Sequence, residues 1–295
     1  MRFTYLTFSG LLLFAVLCSC EDTISVPSQF EEPQLVVDAW LTNTNTPQTI
    51  ILNETVPYFE GGTPRTIEDA TVSVCKDGTE ECFDFIHQGE GQYVWEPTGS
   101  ETLGTVGDNF TLQLSIDGQD YTGASPLKRT ARLDSIAIVF EEESIFLDEG
   151  LYAELFARDQ VGRGDTYWVR AYRNDTLLNR PAEQVVAFDA VFDAGADVDG
   201  VYFIPPLRTA AVNKLDDDGA FIPYQSGDRI YAEVHSINLE AFRFLQIALE
   251  QIQNEGIFAV PVANAPGNVT NVSTGAAILG IFNVAEVNSI EKVVD

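Results

Sequence analysis

"NFTLQLSI", residues 109–116, decides the fold class. Phe110, Leu112, Leu114 and Ile116 alternate with Thr111, Gln113 and Ser115. A period of two places the apolar set on one face of a strand and leaves the other face wet. Working outward from it, similar short runs begin at Pro33: "QLVVDAWL", "QTIILNET", "ATVSVC", "CFDFIH", "GQYVWEP" and "QDYTGAS". Short strands recurring about every ten residues are the signature of a β-sandwich.

A boundary near 127–132 ("LKRTAR") leads to a second set: "LDSIAIVFEE", "LYAELFARD", "TYWVRAYRND", "EQVVAFDAVF", "GVYFIPP" and "RIYAEVHSI". The stretch "RDQVGRGDTYWVRAYR" reads as a hairpin joined through Gly162 and Gly164. One helix stands out, "NLEAFRFLQIALEQIQNEG", about 238–254. Asn238 suits its N-cap, Glu240 the positive end of its dipole, and Gly256 its end. Leu239, Phe242, Leu245, Leu249 and Ile252 make an apolar stripe expected to pack on a sandwich. The tail is a Gly/Asn/Pro-rich loop followed by an apolar strand, and no repeat is long enough to form an array. The expected architecture is therefore mainly β, with an N-terminal sandwich over 33–127. A C-terminal sandwich carrying the helix covers 128–295, and both are Ig-like or prealbumin-like in type. At 45% hydrophobic and 11% aromatic residues the chain is globular rather than disordered.

The first twenty residues carry an address. Arg2 precedes an apolar run of about 13 residues, too short to span a bilayer and suited to a secretory signal. Leu17-Cys18-Ser19-Cys20 resembles the bacterial lipobox. By that resemblance residues 1–19 are removed and Cys20 becomes the first residue. It would carry a thioether-linked diacylglycerol and an N-acyl chain such as palmitate. Two or three chains anchor a protein stably where one does not. Residues 20–32 then form an acylated tether. Glu21 and Asp22 resemble the signal that sends lipoproteins to the outer leaflet, which favours a surface-exposed location.

Removing residues 1–19 takes away one arginine and leaves 15 basic against 45 acidic residues, a net charge of −30. Such a charge argues against nucleic acid and against electrostatic adhesion to an anionic surface. Processing also leaves two cysteines, Cys75 and Cys82, flanking "KDGTEE" with its Asp77-Gly78 turn signal. In an exported protein they are expected to form a cross-hairpin disulfide.

Enzyme signatures are absent: no GxSxG, HExxH, P-loop or Rossmann glycine pattern occurs. His87 and His235, the two histidines, sit near strand ends and read as surface or partly buried imidazoles rather than catalytic bases. No catalytic residue is expected. "FDAVFDAGADVDG" could supply calcium with oxygens from Asp193, Asp197 and Asp199, with Asp189 as a further donor. It fails the EF-hand pattern at Gly195 and lacks a Glu at the twelfth position. "KLDDDGAF" reads as a polar β-turn. Asp22-Thr23-Ile24, Asp134-Ser135-Ile136 and Asp175-Thr176-Leu177 resemble a short bacterial O-glycosylation signal. Trp40, Trp95 and Trp168, with Tyr93, Tyr167 and Tyr172, could stack sugar rings if exposed together, though such residues more often fill sandwich cores. Trp168 and Tyr172 share one strand face with Arg170 between them, and those three make the candidate ligand-binding face.

Two resemblances complete the reading. "DATVSVCKDG…GQYVW…GDNFTLQLSIDGQDYTG" resembles the prealbumin-like, carboxypeptidase-regulatory type of sandwich, which is structural or adhesive. "LVVDAWLTN", "GRGDTYWVRAYR", "AFRFLQIALEQ" and "GNVTNVSTGAAILGIF", behind a lipobox, resemble a family of Gram-negative outer-membrane lipoproteins of unknown function. Genes of that family typically lie beside SusC-type TonB-dependent receptors. The resemblance implies a non-catalytic accessory or ligand-binding partner of such a transporter. The alternative is a structural or assembly lipoprotein of the envelope.

Overall fold

A computed structural model describes residues 33–56, 63–145, 147–192, 194, 198–253 and 265–295. Cys20, the tether and the Asp22 triplet lie outside the described residues. In the N-terminal part seven strands form: β1 (Leu35–Thr42), β2 (Gln48–Glu54), β3 (Ala70–Lys76), β4 (Cys82–Gly89), β5 (Gln92–Trp95), β6 (Asn109–Ile116) and β7 (Gln119–Pro126). The alternation in β6 is realised as expected: Phe110, Leu112, Leu114 and Ile116 are buried. Cys75 and Cys82 face each other in the β3–β4 register and are disulfide-bonded.

Beyond them come β8 (Arg132–Glu141), β9 (Gly150–Arg158), β10 (Thr166–Arg173), β11 (Thr176–Leu177), β12 (Val185–Phe188) and the short α1 (Leu207–Ala210). β13 (Arg229–Ser236), α2 (Leu239–Ile252), β14 (Val269–Asn271), β15 (Leu279–Ala285) and β16 (Val287–Val293) complete the chain. The first sheet runs β14-β7-β6-β3-β4-β5-β2-β1-β15 and folds over so that its ends meet. Side chains close the seam. Asn268 donates to the carbonyl of Phe282 and accepts from its N–H, each at 2.8 Å, and Ser125 Oγ accepts from Val284 N–H at 2.9 Å.

The chain therefore returns to its beginning. β15 pairs in parallel with β1 over seven residues, Val36↔Leu279 to Thr42↔Ala285. Val269, Phe282 and Val284 join the core formed by Val37, Leu52, Phe85 and Leu112. Residues 269–285 thus belong to the first sandwich, outside the contiguous 128–295 unit read from the sequence. β15 is apolar but for the buried Asn283 because both faces are covered: Phe282 points into this core and Ile281 toward the helix. Gly280, at φ +89°, sits where a Cβ would meet the Val37 carbonyl oxygen at 1.9 Å, so only glycine permits the approach.

The second sandwich packs the sheet β11-β10-β13-β16, with β12 also on β10, over the hairpin β8–β9. Leu155, Ala157, Tyr167, Val169, Val234 and Phe203 fill the space between. The hairpin expected across 158–173 is corrected. β9 pairs with β8, and β10 pairs with β11, β12 and β13, so the glycine-containing connection crosses between layers. Both strands alternate because each presents one side to the same core.

α2 starts where expected, with Asn238 Oδ1 accepting from Ala241 N–H at 2.7 Å. Its covered face differs from the expected stripe. Ala241 and Phe242 are buried, Phe244 and Leu245 pack beside them, and Leu239 and Ile252 are 36% and 61% exposed. The helix sits in the junction between the sandwiches, against Ile281 and Trp40 on one side and Val186, Trp168 and Phe188 on the other. Only its first half is covered there. The chain is mainly β, two sandwiches with one packed helix. Among the described residues no helix is long and apolar enough to cross a membrane.

Candidate functional site

β10 buries Val169 and Ala171 and β13 buries Ala232 and Val234. The alternate positions of both strands therefore face outward. The register sets Trp168 opposite His235, Arg170 opposite Glu233 and Tyr172 opposite Tyr231. The three residues singled out from the sequence are thus brought together, and three more join them.

Trp168 lies at the junction end of this face. Its ring centroid is 5.0 Å from that of Trp40, and Nε1 donates to Gln184 Oε1 at 3.1 Å. Its ring is fixed by those contacts. Tyr172 and Tyr231 lie at the open end with centroids 5.6 Å apart and planes tilted by 54°. Burial raises both phenols above their ordinary range. Between the two ends, Glu233 accepts from the Tyr231 hydroxyl at 3.0 Å and lies 3.0 Å from His235 Nε2. Burial opposes its ionisation. The His235 and Tyr231 hydrogen bonds, with the positive field of Arg170, outweigh that and hold the carboxyl below the usual range.

Arg170 is different from its neighbours. Its guanidinium lies 5.1 Å from the Trp168 ring centroid, and its Nε is buried without a hydrogen-bond partner. Among the described residues it makes no hydrogen bond or ion pair, whereas Arg129 holds Asp165, Arg173 holds Asp228 and Arg229 holds Glu291. Buried polar groups are rarely left unpaired, so this one asks for an explanation.

A second cluster gathers at the crossing between the layers. Oxygens of Asp159, Asp165 and Asp189, all buried, lie within 4.8 Å of one another. Donors surround them. Arg129 gives Asp165 Oδ2 two hydrogen bonds, at 2.9 and 2.6 Å. Tyr167 hydroxyl and Gly200 N–H donate to Asp159 at 2.6 and 2.9 Å. Gly164 and Asp165 N–H donate to Asp189 at 2.8 and 2.9 Å. Burial raises the Asp159 carboxyl, the two other aspartates add to the shift, and the Tyr167 phenol is pushed far up. Nearby, Lys128 is lowered by burial, while Asp165 and Asp189 favour its charge. These three carboxylates are the ones that could offer hard oxygens to a cation. Of the calcium candidates, Asp189 joins them and Asp199 accepts from Gly162 N–H at 2.9 Å. Asp193 and Asp197 lie outside the described residues. The Asp159 and Asp165 positions were missed because "RDQVGRGD" reads locally as a turn.

The remaining candidates are structural. Tyr93 hydroxyl donates to the Ile67 carbonyl and accepts from Ala70 N–H, and Trp95 packs edge-on against Phe83. Asp216 Oδ1 accepts from Asp218 and Ala220 N–H, closing the expected turn. Ser135 and Thr176 are exposed. The sequence signal for the partners of the outward face is the alternation of Tyr231, Glu233 and His235 in "RIYAEVHSI". Its pairing with β10 is not written in either strand alone.

The fold and this face define a tandem β-sandwich protein with an outward aromatic and charged row. The family model described as "Domain of unknown function (DUF4249)" matches residues 21–291, and the chain belongs to that family. A two-domain fibronectin type-III segment from chicken tenascin is similar at 11% identity, covering 70% of this chain and 91% of that one, with a TM-score of 0.19. That score is too low to carry an argument. No curated protein matches the chain.

Proposed function

We propose that the protein is an outer-membrane lipoprotein, anchored through acylated Cys20 and facing outward, that serves as a non-catalytic ligand-binding partner of a SusC-type TonB-dependent transporter. The observation that carries the binding role is the row of Trp168, Arg170 and Tyr172, all half-buried, against half-buried Glu233 and Tyr231 and buried His235 on the outward side of the sheet. The lipobox-like Cys20 and the acidic residues behind it support the location. The non-catalytic reading is supported by the surroundings of the two histidines. His235 is engaged by Glu233, and among the described residues neither histidine hydrogen-bonds a hydroxyl or thiol nucleophile. Cys75 and Cys82 are bonded to each other.

Deletion of the gene in its native host tests this reading. Impaired growth on one class of nutrient, restored by the wild-type chain, is the expected result. A general envelope defect with normal use of every nutrient would favour the assembly role instead.

A further inference from the structure

We propose that Arg170 is the anchor of a binding site for a saccharide that carries a carboxylate. The proposal rests on reading the outward face as a ligand site and adds the chemistry of what binds there.

Arg170 is a cation without an acceptor in a chain of 45 acidic and 16 basic residues. Glu233 stands directly opposite, yet its oxygens are taken up by Tyr231 and His235, and no ion pair to Arg170 forms. A ligand carboxylate would supply the acceptor that no protein group gives among the described residues. The buried Nε shows that the side chain lies along the sheet instead of extending into water. Its position is set before anything binds, which lowers the ordering cost of binding. With Nε covered, a ligand meets the Nη edge, where two parallel N–H groups suit the two oxygens of a carboxylate.

What flanks the arginine narrows the class further. Trp168 and Tyr172 lie two residues to either side, about 6.6 Å along the strand. Tyr172 pairs with Tyr231 across it, and the hydroxyl of Tyr172 has no protein partner among the described residues. A carboxylate on Arg170 thus leaves the rest of the ligand over the Tyr172 and Tyr231 rings, with the Tyr172 hydroxyl left for a hydroxyl group. Tyr172 and Tyr231 are half-buried, so each keeps part of its ring surface for a flat sugar ring.

Calorimetric titration of the intact mature chain with trigalacturonate at low salt is the direct experiment. Its fully methyl-esterified counterpart and a hexa-aspartate peptide are titrated alongside. Binding of the free acid is expected, weakened roughly 10- to 100-fold by esterification, as loss of charge-assisted hydrogen bonds implies. Arg170→Gln should lose affinity by a similar factor while its unfolding temperature stays that of the wild type. The ester comparison uses the wild-type chain, so it decides the matter even if the variant folds poorly. Absence of binding, equal binding of acid and ester, or equal binding by a folded Arg170→Gln chain would overturn the proposal. Tighter binding of the peptide than of the saccharide would overturn the ligand class. If trigalacturonate fails while the protein still supports growth on a nutrient, only this inference falls and the transporter role stands.

Discussion

Substituting Gly280 by alanine perturbs the place where the end of the chain closes on its beginning. Gly280 lies directly opposite Val37 in the parallel β1–β15 ladder, at φ +89°. An added Cβ would meet the Val37 carbonyl oxygen at 1.9 Å and its carbonyl carbon at 2.7 Å. Two costs follow. Left-handed backbone costs a residue with a Cβ about 1–2 kcal/mol. The contact is with backbone, which cannot rotate away, so the strands must part at a cost of about 1–3 kcal/mol by analogy with overpacked cores. Together they give about 2–5 kcal/mol, or roughly 5–15 °C in unfolding temperature for a chain of this size. Gly118→Ala is the control, because Gly118 has φ +76° but nothing within 4 Å of a Cβ. It should show the first cost alone. Thermal unfolding followed by circular dichroism on both variants separates the two. A Gly280→Ala chain no less stable than Gly118→Ala would refute the close β1–β15 approach.

Arg129→Met should destabilise the chain by about 2–3 kcal/mol in urea unfolding, a buried-pair cost reduced because the arginine side chain is 34% exposed. Lowering the pH should shrink that deficit, since the raised Asp159 carboxyl takes up a proton and relieves the carboxylate repulsion. Asp228 is lowered: burial opposes this, but hydrogen bonds from Asn174, Gln225 N–H and Arg173 outweigh it. Its stabilisation is present above the ordinary value of 3.8 and is lost as pH falls through the lower folded value, so Asp228→Asn should flatten the acid limb of stability against pH. Replacing Cys75 and Cys82 together by alanine should cost about 2.5 kcal/mol, the loop-closure value for so short a ring, measured against the oxidised wild type. Calcium added to chelated protein is expected to leave the unfolding temperature unchanged, because Arg129 and Lys128 already supply positive charge beside the three aspartates. A rise of several degrees would place an ion there instead.

Strand phase was legible wherever one face is wet. The alternation in 109–116 placed Phe110 to Ile116 in the core, and that in 166–173 placed Trp168, Arg170 and Tyr172 on one outward face. Partners distant in sequence were not legible. "LGIFNVA" reads as a strand covered on both sides, but no residue in it says that the sheet beginning at Leu35 is the one it joins. The 158–173 hairpin was misread because glycines serve equally in a two-residue turn and in a crossing between layers. The helix stripe was misplaced for a related reason: periodicity shows which side is apolar, while the packing at Trp40 and Phe188 decides how far along the helix that side is covered. Asp159 and Asp165 stayed hidden because a buried carboxylate is recognisable only through donors such as Arg129 and Tyr167, which neighbouring residues do not reveal.

The claim that this chain is an anchored partner of a transporter is tested most directly by affinity capture of the native, lipidated protein from solubilised outer membranes. A TonB-dependent β-barrel receptor is expected to come with it in fixed proportion, and to be absent from the same capture with Cys20→Ala. Repeated recovery of the lipidated protein without any β-barrel partner would contradict the claim.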